Sequence, residues 1–282
     1  MKLLYLADRD NLYEGMVEVL GKTNVIQPRP PSVYLEGISY LQTVIELVRY
    51  GKYDLIFWNT NFNNYFDTVS GAPIIDLILQ ENVTGIPVVF YDTLPDYKDR
   101  TEYIKNKNVV RYFKRDLVIG QKFAVPCPDS VPSSKVTPPW ERNRSGVGYD
   151  LLGVQGDWTE TVVDGLQDVK NNNAPLIGAH WATHGPGQFH QYDQEKFWRL
   201  ISQGCAVVAQ RPFIQIPFPF VNSEHLRFVE QPDEIVTNVK ELLERETRAM
   251  YLAERSYEWF LEHHMSEKRA RWVLEQCGYV NC

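Results

Sequence analysis

Cysteine is scarce in this chain. Its 282 residues carry four, Cys127, Cys205, Cys277 and Cys282, with no CxxC pair and no dense spacing. That excludes a disulfide framework and fits reduced, inert thiols. An excess of cations is lacking too. Lys and Arg together number 29 against 36 Asp and Glu, for a net charge of −7 and a pI near 5.5. Such a chain does not coat nucleic acid or an anionic membrane by bulk electrostatics, although a local basic cleft can still hold a phosphate. Long apolar runs are missing as well. The opening Met1 to Asp8 has one lysine and an apolar run too short for a signal peptide or a membrane span, so a cytoplasmic location is expected. No internal repeat or low-complexity tract interrupts the chain.

What is present is ample apolar content, 44% of residues, in a length that suits two small domains. Strand-like runs alternate with helical ones. Leu3 to Ala7, Leu55 to Trp58, Gly85 to Tyr91 and Val109 to Phe113 read as strands, while Leu12 to Leu20, Tyr40 to Tyr50 and Ile74 to Leu79 read as helices. The order predicts an open parallel sheet with ligands beyond the carboxyl ends of its strands, where Asp8, Arg9, Asn59 and Asp92 would line up. Helix capping is the competing role for each of these polar residues.

Pro126 to Gly148 is rich in proline, serine and glycine and cannot continue a helix or a central strand, which marks 131–148 as a linker. A second series follows. Strands are expected at Asp150 to Val154, Pro175 to Ala179 and Cys205 to Ala209, with helices over Thr159 to about Lys170 and Gln194 to Ser202. Pro232 to Arg271 is charged and helical, with a break at His263-His264. The predicted division is an N-terminal Rossmann-like domain over 1–130, the linker, a C-terminal Rossmann-like domain over 149–262, and a final helical segment over 263–282.

One stretch carries more than fold. Lys196-Phe-Trp-Arg-Leu-Ile-Ser-Gln-Gly204 runs from an amphipathic helix through glycine into Cys205-Ala-Val-Val-Ala209. Gly185-Pro-Gly187 lies upstream. Downstream come Pro212 to Pro217, His225 to Val229, Pro232-Asp-Glu-Ile235, and His264-Met-Ser-Glu-Lys-Arg269-Ala270. This order resembles the C-terminal domain of the GT-B glycosyltransferases, in particular the group related to the spore-maturation (CgeB-like) glycosyltransferases. There a Gly-rich turn precedes an "R-x-W-E…G" helix and strand, then a "D-E-hydrophobic" helix and a terminal "H-(S/T)-x-x-x-R-A" helix. Here the last motif is one residue longer. Arg111 to Arg115 and Phe123 to Pro128 look like that group's crossing between halves. The resemblance covers most of residues 109–271.

The resemblance implies an α/β fold of two Rossmann-like parallel-sheet domains facing across a cleft (GT-B). The C-terminal half would bind a nucleotide-sugar donor and the N-terminal half an acceptor, and the final helix would pack back toward the N-terminal domain. Where the family pattern has arginine and glutamate, this chain has Lys196 and Arg199. The glutamate commonly accepts hydrogen bonds from the donor ribose, and an arginine can only donate. Arg199 is then either a partner for a donor phosphate or a solvated helix residue in a domain that has lost catalysis.

Sugar transfer from a nucleoside diphosphate requires that the leaving pyrophosphate be stabilised, which GT-B enzymes do with basic side chains and helix N-termini. The donor-side candidates are Lys196, Arg199 and the backbone amides around Gly185 and Gly187. Gln155 and Gly156, in Gly153-Val-Gln-Gly156, form a further loop where backbone and ligand can approach closely. An ordinary turn is the alternative there.

His180, His184, His190 and Tyr192 form a cluster suited to phosphate or sugar hydroxyls, or else simply to a loop. Helical HxxxH ligation is disfavoured by Gly185-Pro186, and neither a metal nor a cofactor is expected. Trp158 and Trp181 are candidate stacking platforms. An inverting transfer needs a base, for which Asp8 and Asp92 are the candidates. Two other outcomes stay open: a noncatalytic nucleotide- or glycan-binding protein on the same scaffold, and a glycosyltransferase acting on nucleic-acid bases.

Overall fold

The computed structural model describes residues 1–7, 10–28, 34–60, 78–94, 96–140, 145–149, 158–171, 175–184, 190–191 and 195–279. For 34–41, 183–184, 190–191 and 195 it describes the backbone only. The chain divides into two compact units, Met1–Cys127 with Ala270–Cys282, and Pro128–Arg269.

The first unit is built on a parallel sheet in the order β2-β1-β3-β4-β5-β6. Its strands are β1 (Leu3–Leu6), β2 (Val25–Ile26), β3 (Leu55–Asn59), β4 (Val88–Asp92), β5 (Val109–Lys114) and β6 (Val125–Pro126). The three central strands β1, β3 and β4 are buried on both faces, as a parallel sheet covered by helices must be, so each reads as an unbroken apolar run. Alternation then sorts their side chains between two cores. Leu4, Leu6, Ile56, Trp58, Val88 and Phe90 face one, closed by Val44 and Val48 of α2 (Tyr34–Tyr50) and by Ile104 of α3 (Thr101–Ile104). Leu3, Tyr5, Leu55, Phe57, Val89 and Tyr91 face the other, closed by Leu12 and Met16 of α1 (Asn11–Leu20). Tyr5 and Phe57 stack in that second core with ring centroids 4.8 Å apart and planes 2° from parallel.

The second unit has a smaller parallel sheet in the order β12-β11-β8-β7. Its strands are β7 (Val147–Gly148), β8 (Ile177–His180), β11 (Ala206–Gln210) and β12 (Arg227–Val229). A two-stranded antiparallel hairpin, β9 (Thr183–His184) with β10 (His190–Gln191), lies between β8 and β11 in sequence. One face of the sheet packs Ile177, Ala179, Ala206 and Val208 against α4 (Thr159–Leu166), α6 (Pro232–Glu244) and α7 (Glu246–His263). The other packs Val207 and Ala209 against Phe197, Trp198 and Ile201 of α5 (Glu195–Ser202).

Glycine permits that second contact. A Cβ on Gly178 would stand 2.9 Å from the Leu200 side chain, so α5 rests directly on the strand. Gly204, at φ +70°, turns the chain from α5 into β11, and a Cβ there would meet the Pro139 backbone at 2.6 Å.

One feature differs from expectation. The stretch 131–148 is not a linker in its described parts: Val131 is buried in the core around Trp198, Pro139 covers Gly204, and β7 is an edge strand of the second sheet. Its prolines and glycines serve an irregular edge, which composition alone does not separate from a connector. The final helix α8 (Ser266–Gln276) gives Ala270, Val273 and Leu274 to the first unit's core. The expected strand at Asp150 to Val154 lies outside the described residues, as do residues 74–77 of the expected Ile74 to Leu79 helix.

Candidate functional site

The carboxyl edge of the first sheet carries two polar networks. Asp10 caps α1, its Oδ1 accepting from the Tyr13 amide at 2.7 Å and from the Tyr5 hydroxyl at 2.8 Å, while the Asn59 amide reaches its Oδ2 at 3.2 Å. Asn59 in turn accepts from the Thr93 hydroxyl at 2.7 Å, and Thr93 lies 3.1 Å from the Thr60 hydroxyl. The Tyr5 phenol is driven well above its ordinary range by burial first and by the Asp10 carboxylate second, so it stays protonated and donates.

The second network centres on Asp92. Its Oδ2 accepts from Arg100 at 2.5 Å, Lys114 at 3.0 Å and the Tyr112 hydroxyl at 3.1 Å, and its Oδ1 accepts from the Leu94 amide at 3.0 Å. Asp96 completes the cluster against Arg100 at 2.6 Å and Lys114 at 3.5 Å. Arg100 and Lys114 hold the Asp96 carboxyl below its usual value against the opposing effect of its partial burial. Burial, then the Asp92 charge, pushes Tyr112 up.

Asp92 and Lys114 are both 0% exposed. A carboxylate whose oxygens already accept four bonds inside the protein has no open face for an acceptor hydroxyl. The expectation of Asp92 as a base is therefore corrected: it neutralises the buried Lys114 and the partly buried Arg100 and ties the loop after β4 to β5. Asp8, the other candidate base, lies outside the described residues.

At the carboxyl edge of the second sheet, His180 ends β8, buried, with its ring 5.0 Å from Phe197. The Gln210 side chain at the end of β11 accepts from the Ala182 amide at 2.9 Å and so fixes the turn between β8 and the hairpin. Sequence reading missed Gln210; a lone amide at the end of an apolar strand is the only signal it gives. Just past the ends of β11 and β12, Arg211 pairs with Glu230. Glu234, on the first turn of α6, accepts from the Glu230 and Gln231 amides at 2.7 and 3.0 Å in a capping box.

Among the donor-side candidates, Lys196 sits half-buried on the first turn of α5, the end that follows the carboxyl edge of β8. Arg199 is exposed on the last turn, nearer the amino end of β11. Between them Phe197 and Trp198 are wholly buried, so the tryptophan of the motif is a core residue. The strand register pairs His184 with His190 across the hairpin.

Trp181 is not a stacking platform. It is 4% exposed, its indole donates to the Thr159 hydroxyl at 3.2 Å, and it packs in the core with Tyr149. Trp158, half-buried at the head of α4, packs against the same core. Gln155, Gly156, Gly185, Gly187 and Tyr192 lie outside the described residues. Among the described residues no group of three or more His, Cys, Asp or Glu has a metal-binding arrangement, and no helix is long and apolar enough to cross a membrane.

A hollow of about 390 Å³ lined by Leu79, Gln80, Asn82, Asn106, Lys107 and Asn108 lies at the amino ends of β4 and β5, away from both carboxyl edges. Its polar groups serve the fold. Asn82 and Asn108 both bond the Ile86 carbonyl, at 2.7 and 3.0 Å, and Lys107 donates to the Tyr103 carbonyl at 2.8 Å.

No family model and no curated protein matches the chain. Solved structures do. A crystal structure of Anabaena Alr3699/HepE in complex with UDP is similar over 99% of this chain and 100% of that one, at 11% identity and a TM-score of 0.62. An alpha-glucosyltransferase in complex with UDP-glucose and DNA containing an abasic site is similar over 98% of each chain, at 10% identity and a TM-score of 0.55. A glycosyltransferase from Rickettsia africae is similar over 99% of this chain and 98% of that one, at 10% identity and a TM-score of 0.54. At these identities the likeness is one of fold: the chain has the two Rossmann-like α/β units of the GT-B glycosyltransferases.

Proposed function

We propose that this protein transfers a sugar from a nucleoside diphosphate sugar to a hydroxyl acceptor, with the donor at the carboxyl edge of the second sheet. One observation carries the reading. The two-unit fold is matched from end to end, over 99% of this chain, by a protein whose crystals hold UDP, UDP with glucose, and UDP-glucose. In an open parallel sheet the ligand binds beyond the strand ends, which here are the ends of β8 and β11.

In that reaction the bond from the anomeric carbon to the β-phosphate oxygen breaks, a bond to the acceptor oxygen forms, and the acceptor proton passes to a base. Lys196, on the opening turn of α5, has the charge and position to neutralise the leaving diphosphate, and the positive end of the helix dipole adds to it. The cleft-side loops of the family resemblance, with Gly185, Gly187, His184, His190, Tyr192, Gln155 and Gly156, are proposed as the remaining donor contacts, and Asp8 as the base of an inverting enzyme. The spore-maturation group is the proposed relative within GT-B, and the proposed setting is the cytoplasm.

A second reading is a noncatalytic binder of nucleotides or glycans on this scaffold. It is favoured by Arg199, a cation exposed on α5 where the family pattern has a carboxylate. Thermal shift with UDP and UDP-sugars tests binding. A ligand at one hundred times its Kd stabilises the fold by about 2.7 kcal/mol, and Lys196→Ala is expected to remove most of that shift while leaving the unliganded Tm in place. The absence of any shift with every nucleoside diphosphate would end the first reading and the nucleotide-binding form of the second. Donor hydrolysis then separates them, since only the enzyme releases free sugar.

A further inference from the structure

The connection between β11 and β12, residues 211–226, is longer than the roughly 12–15 residues at which a loop without its own secondary structure becomes unusual. It contains Pro212, Pro217 and Pro219 and two left-handed residues that are not glycine, Phe218 at φ 55° and Ser223 at φ 65°. A backbone in that region persists only where its surroundings hold it. At Ser223 the holding group is Arg248 of α7, which donates to its carbonyl at 2.7 Å, and around Phe218 the holding groups are aromatic and imidazole side chains. The Phe218 carbonyl accepts from the Trp259 indole at 3.1 Å and from His264 Nε2 at 3.0 Å. The Phe218 ring stacks on His263 at 4.7 Å, and His225 stacks on Trp259 at 4.9 Å.

The hydrogen bonds fix the protonation of two of these histidines. A carbonyl only accepts, so His264 Nε2 carries a proton. A guanidinium only donates, so His264 Nδ1, 2.9 Å from Arg269 Nη2, is a bare lone pair. His264 is thus a neutral imidazole with both nitrogens committed. His225 obeys the same logic, because its Nδ1 accepts the Val221 amide at 3.0 Å. A proton added to either ring turns an acceptor into a donor that faces a donor. In His264 it would also place a second positive charge against Arg269, in a site that is 0% exposed.

We propose that residues 211–225 form an acid-released strap, fastened only while His225 and His264 are neutral. The charged groups around the two fasteners are few. His225 has Glu224 at 3.8 Å, itself paired with Arg255 of α7 at 3.3 Å, and His263 beyond Trp259. His264 has Arg269 of α8, with His263 beside it and Glu262 at 3.7 Å from His263. Burial, then Arg269, keeps His264 well below its ordinary value. Burial likewise lowers His225, against the raising effect of Glu224. His225, which has a carboxylate beside it where His264 has a guanidinium, takes its proton first, and the strap loosens from the Val221 side.

The sign follows from linkage. The open strap binds a proton on each histidine near pH 6.5 and the closed strap only at lower pH. Opening is therefore suppressed above about 6.5, and below it grows by up to about tenfold per pH unit for each histidine. Amide hydrogen exchange on the full chain, followed from about pH 8 to about pH 5 and corrected for the intrinsic pH dependence of exchange, reads this directly. Amides of 218–225 should lose protection with a slope of up to two protons, while Val207 to Ala209 of β11 stay protected.

His225→Asn keeps an acceptor for the Val221 amide that does not take up a proton in this range, and should reduce the slope to one. Three results overturn the proposal: protection of 218–225 that does not change with pH, loss of protection only together with β11, or an unaltered slope in the variant. Should His225→Asn not fold, the comparison of the two segments in the unsubstituted chain decides alone.

Discussion

Asp92 and Lys114 illustrate what a single strand-end residue does when its surroundings are known. Read alone, Asp92 after an apolar run is equally a base, a cap or an ion-pair partner. Its role follows from Arg100, eight residues on, from Lys114 on the neighbouring strand, and from complete burial, none of which local pattern displays. Asp92→Asn is expected to cost about 3 kcal/mol in urea unfolding, because it leaves the buried Lys114 and the partly buried Arg100 with Asp96 alone to neutralise them. A base would instead lose turnover at unchanged stability, so the two measurements on one variant separate the roles. Trp181 makes the same point. Its position beside a histidine loop resembles a ligand platform, yet it is packed in a core. Burial depends on which elements meet, which the sequence encodes only through the whole fold.

At the scale of elements the sequence is far more legible. Apolar runs such as Leu3 to Leu6 and Ala206 to Ala209, each bounded by polar or glycine signals, place the central strands within a residue or two of where they lie. The break after α7 is visible in His263-His264. Two-residue strands such as β7, β9 and β10 are not visible, since two residues cannot express a period.

The step from α5 through Gly204 into β11 is legible because only glycine takes a left-handed turn there without cost. Alanine at that position would pay both for the positive φ and for the approach to Pro139. Gly204→Ala is accordingly expected to destabilise the chain by about 2–4 kcal/mol, with the loss seen as a lower denaturant midpoint at unchanged m-value.

For the molecule as a whole, sequence order and spatial order part company at the last helix. Ala270, Val273 and Leu274 face Leu3, Phe57 and Phe113 in the core of the first unit, and the Tyr279 hydroxyl donates to the Asp54 carbonyl at 2.8 Å. Periodicity shows that α8 is amphipathic but not which distant sheet its apolar face will meet. Leu274→Ala removes a side chain 1% exposed and should cost about 2–5 kcal/mol. Segment-resolved hydrogen exchange should register that loss in β1 and β3 of the first unit rather than in β8 and β11 of the second.

The same connectivity sets a timetable for synthesis. The first sheet leaves the ribosome early, but the residues that close one of its faces emerge only after all of 128–269 has been made, a wait on the order of 10 s at usual elongation rates. Until then α1 covers only part of that face, and Phe113, which packs on Trp272, waits for its lid. A nascent chain stalled before residue 270 would accordingly carry an open, sticky sheet and call on a chaperone, and one extended past residue 279 would not.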